Sequence, residues 1–240
     1  MAQKTNPIGL RLGLTQVWGT ILQNYGNKNK FYSSFILKQF VLNNFLQKYI
    51  HTKTNYSLNK IVIELNCKSS KLKFSYAIKK NTLNTKLLNL YEQPLRQLCT
   101  SMHSCSNIEV FRELNSSITA RLITSYVNYL FEQKLPLKLI LASLENLLKD
   151  NLNLGKIIML RNGVTKVVLK GFKLKISGRF DNTRNRMAKN YEQSYGSLSL
   201  AQLKSYVEFH SQTVFTKLGT CTIQVYLFYE IKDANKKKNS

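Results

Sequence analysis

The chain has 240 residues, 43% of them hydrophobic, and carries 36 Lys+Arg against 12 Asp+Glu for a formal net charge of +24. That length and apolar content suffice for one good core or two small ones, which argues against disorder throughout. Charge of this size and sign attracts polyanions and repels copies of the chain, so nucleic acid leads the partner classes, a homo-oligomer is disfavoured, and the cations are too dispersed for a polybasic membrane anchor.

The chain opens MAQKTNPIGLRLG, where Asn6-Pro7 favours extended or turn backbone and Gly9 and Gly13 loosen the backbone after it. Residues 1–30 are therefore expected to form a basic, extended arm that orders against an anionic surface, with Lys4 and Arg11 supplying charge and no secretory or transit leader ahead of it. FYSSFILKQFVLNNFLQKYI (31–50) places Phe35, Ile36, Phe40, Val41 and Tyr49 on a broad apolar stripe and predicts a helix. KIVIELN (60–66) and KLKFSYAI (71–78) read as neighbouring strands about the turn CKSS, residues Leu83 to Met102 as a helix, and Asn107 to Phe111 as a short strand. Ser116 or Ser117 can cap a helix with apolar Ile118, Leu122, Ile123, Val127 and Leu130, and Pro136 opens a further helix reaching Lys149.

From about residue 155 the texture changes to GKIIML, the turn signal RNG (161–163) and TKVVLKG. In GFKLKISGRF, Phe172, Leu174 and Ile176 alternate with Lys173, Lys175 and Ser177, which gives one apolar face and one row of lysines. β-like runs within 184–194, 203–215 and 220–229 complete an antiparallel sheet, and DANKKKNS (233–240) is a basic tail. No apolar run is long enough to span a bilayer, since LPLKLILASLENLL is broken by Lys138, Glu145 and Asn146.

Cys67, Cys99, Cys105 and Cys221 form no CxxC pair, and Cys99, His103 and Cys105 lack a fourth ligand and regular spacing, so no metal site is assigned. His51, His103 and His210 stand apart from any carboxylate pair or nucleophile motif, so neither a catalytic residue nor a cofactor is expected.

MAQKTNPIGLRLG, with Gln3-Lys4, Asn6-Pro7 and Gly9 to Gly13 in one ungapped block, and GFKLKISGRF together resemble the family of small-subunit ribosomal protein three. The helix ARLITSYVNYLFEQKLPLKL (120–139) and the closing strand CTIQVYLFYE extend the resemblance over nearly the whole chain. It implies an α+β protein: the arm at 1–30, a K-homology-like domain of the prokaryotic type at 31–135, and a C-terminal α/β domain with a mainly antiparallel sheet at 136–232. By this resemblance the partners are small-subunit rRNA, neighbouring proteins of the small-subunit head, and mRNA near the place where it enters. The residues implied in rRNA contact are Lys4, Asn6, Arg11, Lys28 and Lys30 of the arm and Lys173, Lys175, Arg179, Arg184, Arg186 and Lys189 of the C-terminal domain.

Three departures stand out. A K-homology domain grips single strands through a GXXG loop, where the absence of side chains lets phosphates reach backbone N–H groups; here the corresponding stretch reads KKNTLNTK, so the loop is degenerate, with Lys79, Lys80 and Lys86 left to hold a phosphate by charge. The family's Arg-Arg and following Lys beside incoming mRNA fall at Lys138, Leu139 and Ala142, leaving Lys134 and Lys138 as the candidates there. Residues near 152–168 are an insertion, read either as a source of replacement cations (Lys156, Arg161, Lys166 and Lys170) or as a solvated hairpin.

A lysine row is usually a solvated face, but with a charge of +24 and the SGR match it reads as RNA contact. Tyr191, Tyr195, Tyr206 and Phe209 are candidates to stack on unpaired bases, or else core and rim residues of the sheet. The function expected is that of a structural constituent of the small ribosomal subunit. The AT-type composition and eroded loop point to a mitochondrion, with a plastid second. An organellar processing or splicing factor outside the ribosome is the alternative.

Overall fold

The computed structural model describes residues 5–17, 21–22, 33, 36–37, 40–41, 43–44, 56–65, 70–78, 105–112, 119–161, 163–180 and 187–232. The predicted helix at Leu83–Met102, the caps Ser116 and Ser117, the loop KKNTLNTK and the tail at 233–240 lie outside these residues. The chain divides into two compact units, Met1–Trp18 with Ser117–Ser240, and Gly19–Ser116.

In the Gly19–Ser116 unit, described residues between 33 and 44 are helical, as the apolar stripe there predicts. Its strands are β1 (Ile21–Leu22), β2 (Tyr56–Leu65), β3 (Ser70–Ile78) and β4 (Cys105–Arg112), in that order across the sheet. β2 and β3, expected from sequence as a hairpin or neighbouring strands, pair antiparallel, whereas β4 joins β3 in parallel.

The other unit is a curled antiparallel sheet with helices on one face. Its elements are α1 (Pro7–Arg11), α2 (Ala120–Glu132), α3 (Leu137–Asp150), β5 (Gly155–Leu160), β6 (Gly163–Gly178), β7 (Lys189–Gly196), β8 (Tyr206–Thr216) and β9 (Gly219–Lys232). The order is β5-β6-β9-β8, with β7 also on β6. β5 and β7 share one edge of β6, pairing with Gly163–Val168 and Gly171–Gly178 in turn. The RNG signal is the β5–β6 turn, closed at Leu160 and Gly163, the latter with φ +108°. Gly196, at φ +76°, lets β7 meet β6, because a Cβ there would collide with the Lys170 carbonyl.

Phe172, Leu174 and Ile176 of β6 and Ile223, Val225 and Leu227 of β9 form one core with Ile123, Val127 and Leu130 of α2 and Ile140, Leu144 and Leu148 of α3. Burial of each such side chain stabilises the fold by roughly 1.5–3 kcal/mol. This packing corrects the boundary expected from sequence: residues 117–135, placed there with the K-homology-like domain, belong with the C-terminal sheet. The turn at Pro136 separates two helices that share a core. Glu208 of β8 ties the curl together, accepting from Lys156 Nζ at 2.8 Å and from the backbone N–H of Ala120, at the start of α2, at 3.3 Å. A carboxylate suits both partners, a cation and the positive end of a helix.

Over residues 5–17 the expected extended arm is corrected as well. Asn6 caps α1 by accepting from the Ile8 N–H at 3.0 Å, and Pro7 occupies the first turn, where its missing N–H is no loss. Arg11 is fully buried, at 0% exposure. Its guanidinium donates to Ser205 O at 3.1 Å, Pro7 O at 3.0 Å, Leu200 O at 2.7 Å and Gln202 O at 2.8 Å. Gln16 Nε2 adds a bond to Val207 O at 2.6 Å, so the N-terminal segment is laced to the beginning of β8. Charge-assisted bonds of this kind contribute about 1.5–3 kcal/mol each, and leaving their acceptors bare is destabilising. Arg11→Ala is therefore expected to lower the thermal midpoint of the full chain by at least several degrees, and Arg11→Lys should recover little of the loss, because an ammonium cannot reproduce the planar fork. Circular-dichroism melts that match wild type for both variants would remove the lacing role.

Candidate nucleic-acid interface

Alternation along β6 sends Phe172, Leu174 and Ile176 into the core and Lys173 and Lys175 to the opposite face. Across β7 the register sets Glu192 opposite Lys175, and the carboxylate takes both cations, Lys173 Nζ at 2.7 Å and Lys175 Nζ at 3.1 Å. Hydrogen bonds from Lys173 and then Lys175 hold its pKa down at about 2, against an ordinary 4.5. Both lysines are thereby fixed in place, and the local charge is still net positive.

On the other side of β6, Lys173 faces Tyr226 of β9, and Tyr226 in turn faces Phe209 of β8. The two rings lie 4.7 Å apart at an interplanar angle of 40°. Burial raises the Tyr226 pKa, opposed by Lys173 and Lys175, and its neutral hydroxyl reaches Gln224 Oε1 at 3.4 Å. Four strands thus carry carboxylate, lysines, glutamine with tyrosine, and phenylalanine in sequence across one face. At about 4.8 Å between strands, the row is roughly 14 Å wide. Lysines beside half-exposed rings can hold a phosphate and stack a base.

The other proposed stacking residues point into the core side of the sheet. Tyr191 meets Phe180 edge-on at 5.5 Å, Tyr195 stacks on Phe172 at 6.0 Å, and Tyr206 packs on Tyr229 at 5.8 Å. Phe209 alone of the four has the outward register, and sequence reasoning misses its partner Tyr226 although CTIQVYLFYE alternates there. His210 faces inward too, bonded to Thr124 Oγ1 at 2.8 Å, with its pKa lowered to about 4 by burial and by Arg121. It is a packed, neutral imidazole.

Of the residues expected to touch rRNA, Lys173 and Lys175 come together on this face and exposed Lys189 begins β7. Arg179 follows the end of β6, half-buried. Arg11 and Asn6 are engaged within the fold, as a buried lace and a helix cap. Lys4, Lys28, Lys30, Arg184 and Arg186 lie outside the described residues. Lys134, at φ +59° in the α2–α3 turn, and Lys138, in the first turn of α3, are exposed on the helical layer, across the sheet from the lysine row. Among the described residues no three His, Cys, Asp or Glu side chains gather as a metal site, and no helix is long and apolar enough to cross a membrane. Cys99 and His103 lie outside those residues, and Cys221 is a buried free thiol.

Sequence comparison decides the family. The chain is 39% identical over 236 residues to the small ribosomal subunit protein uS3m of Chondrus crispus, spanning 97% of this chain and 95% of that protein. The chain belongs to the uS3 family of small-ribosomal-subunit proteins. Identity is 27% over 237 residues to uS3c of Euglena longa, covering 95% of this chain and 99% of the relative. It is 24% over 243 residues to uS3 of Mycoplasma mobile, covering 100% and 97%. No protein-family model matches the chain.

In this uS3 chain the depressed Glu192 pKa sets a pH dependence. A carboxyl whose folded pKa lies below its unfolded one stabilises the fold above about pH 4.5, and that contribution is lost as pH falls toward 2. Urea midpoints measured across this window should fall less steeply for Glu192→Gln than for wild type. Equal slopes would mean that the carboxylate is not held by the two lysines in solution.

Proposed function

We propose that the chain is a structural constituent of the small ribosomal subunit, and that the Lys173–Lys175–Tyr226–Phe209 face of its C-terminal sheet meets small-subunit rRNA. The observation that carries the ribosomal assignment is the 39% identity to a small ribosomal subunit protein across 97% of the chain. That relative is the mitochondrial form of the family, which supports work in the mitochondrial small subunit for this chain. The named relatives are all ribosomal proteins, so the processing-factor alternative has no support.

The physical case for RNA is the charge pattern. A net charge of +24 over 240 residues releases counterions from a phosphate backbone on binding and keeps copies of the chain apart. The bound lysines and the ring pair suit a folded RNA with an unstacked nucleotide better than a protein surface. In the Gly19–Ser116 unit, the antiparallel β2–β3 pair beside the parallel β3–β4 pair supports the K-homology-like reading of the prokaryotic type, with KKNTLNTK, free of glycine, as its degenerate loop. Lys134 and Lys138 remain the candidates to meet incoming mRNA, on the layer opposite the rRNA face. Catalysis forms no part of this function.

Epitope-tagged chain in a mitochondrial lysate should sediment with the small subunit and the monosome through moderate salt. Lys173→Gln with Lys175→Gln should shift a large fraction to the top of the gradient and cut the salt slope of binding to small-subunit rRNA by about two. Co-sedimentation of the double variant unchanged would take the rRNA contact away from this face.

A further inference from the structure

Strand β5 ends the strand order of its sheet, so among the described residues one of its edges has no partner strand. The Leu160–Gly163 pair that closes the hairpin is hydrogen-bonded, and bonded pairs alternate with unbonded ones from there, so Ile158 and Lys156 bond to β6. Gly155, Ile157 and Met159 consequently turn their N–H and C=O groups to the open edge, where among the described residues no backbone group bonds them. Native sheets usually blunt such an edge with charge or proline. This one presents apolar side chains instead: Ile157 is 73% exposed, Met159 65%, and Val164, paired across from Met159, 71%. Three large apolar side chains on one outward face, beside unpaired backbone, mark an interaction surface.

The flanking charge says what covers it. Lys166 pairs across from Ile157, and its stem lies over Gly155, where a Cβ would meet Lys166 Cε at 2.5 Å. That carries an ammonium onto the edge strand. Lys232 follows Lys166 across the sheet, and both are exposed. Lys156 is paired with Glu208 at 2.8 Å and is not part of this border. The open edge is thus apolar with a cationic rim. A second copy of the chain would set these lysines against their own kind in a molecule of net charge +24. RNA finds on Ile157, Met159 and Val164 neither a donor nor a ring to stack on.

We propose that β5 accepts an added strand from another protein of the small subunit, an extended segment of acidic and apolar character. Main-chain bonds to Gly155, Ile157 and Met159 join it to the sheet, apolar side chains at two alternate positions cover Ile157 and Met159, and an Asp or Glu at the next position on the same face meets Lys166 over Gly155. This gives residues 152–168, read from sequence as an insertion, a role. The inference rests on the ribosomal reading for where the partner is found, and it concerns none of the residues of the rRNA face.

Purified mitochondrial small subunits treated with a zero-length carbodiimide, which joins amines to carboxylates in direct contact, provide the test once the linked peptides are mapped by mass spectrometry. Lys166 should be joined to an Asp or Glu of another protein, and amide exchange over residues 155–160 should be slower in the subunit than in the isolated chain. A synthetic peptide of the linked segment should bind the full chain. Ile157→Pro should weaken that binding about tenfold, whereas Ile157→Thr, which keeps the N–H, should weaken it about threefold. Proline is tolerated where an edge strand's N–H faces outward, so circular dichroism of the Ile157→Pro chain should match wild type. Lys166 joined only within its own chain, to a second copy or to nothing would overturn the proposal, as would equal weakening by the two Ile157 variants. Ultraviolet adducts between residues 155–160 and rRNA would give the edge to RNA and overturn it too. Small subunits that lack the chain altogether would refute the ribosomal reading, and the proposed partner with it.

Discussion

Strand β6 has to satisfy three strands and two environments at once. Over Gly163–Gly178 it pairs with β5 and β7 along one edge and with β9 along the other, and its two faces meet a helix-covered core and solvent. Two-residue periodicity is the only pattern that allows this, because a shift of one residue would carry Lys173 and Lys175 into the core and Phe172, Leu174 and Ile176 out of it. A register irregularity between Leu169 and Gly171 accommodates the change of neighbour from β5 to β7. The lysine row is thus held by the hydrophobic effect acting on its alternate residues, which fixes cations on a rigid strand rather than a loop.

Burial decides what a cation does in this chain. Arg11 and Lys173 are both basic residues in the two stretches that resemble the ribosomal family, yet one is sealed among backbone carbonyls and the other lies on the sheet surface. Carboxylates are scarce, and two at the C-terminal sheet are placed where they orient cations: Glu192 with Lys173 and Lys175, and Glu208 with Lys156. Exposed pairs of this type add little stability. Their effect is to hold ammonium groups in fixed geometry while the surface remains net positive, which suits recognition of one RNA shape over loose attraction to any polyanion.

Sequence patterning makes the C-terminal sheet legible because its signals are local. The alternation in GFKLKISGRF and the RNG turn lie within a few residues of the structure they specify, and the helix opened at Pro136 runs Leu137–Asp150. The features that stay hidden depend on partners far along the chain. The apolar stripe of α2 announces burial but not against what, so sequence alone groups residues 117–135 with the wrong unit. The acceptors of Arg11 are near residue 200, and MAQKTNPIGLRLG alone carries no sign of them. Cross-strand register, unknown until β8, β9 and β6 are paired, is what joins Phe209, Tyr226 and Lys173 and sends Tyr191, Tyr195 and Tyr206 to the other side.

The most direct test of the central claim is RNA–protein photocross-linking in purified mitochondrial small subunits, with the nucleotide adducts mapped by mass spectrometry. Adducts on the peptides that carry Lys173, Lys175, Phe209 and Tyr226 are the predicted result. Abundant adducts elsewhere on the chain, with those peptides intact and unmodified, would contradict it.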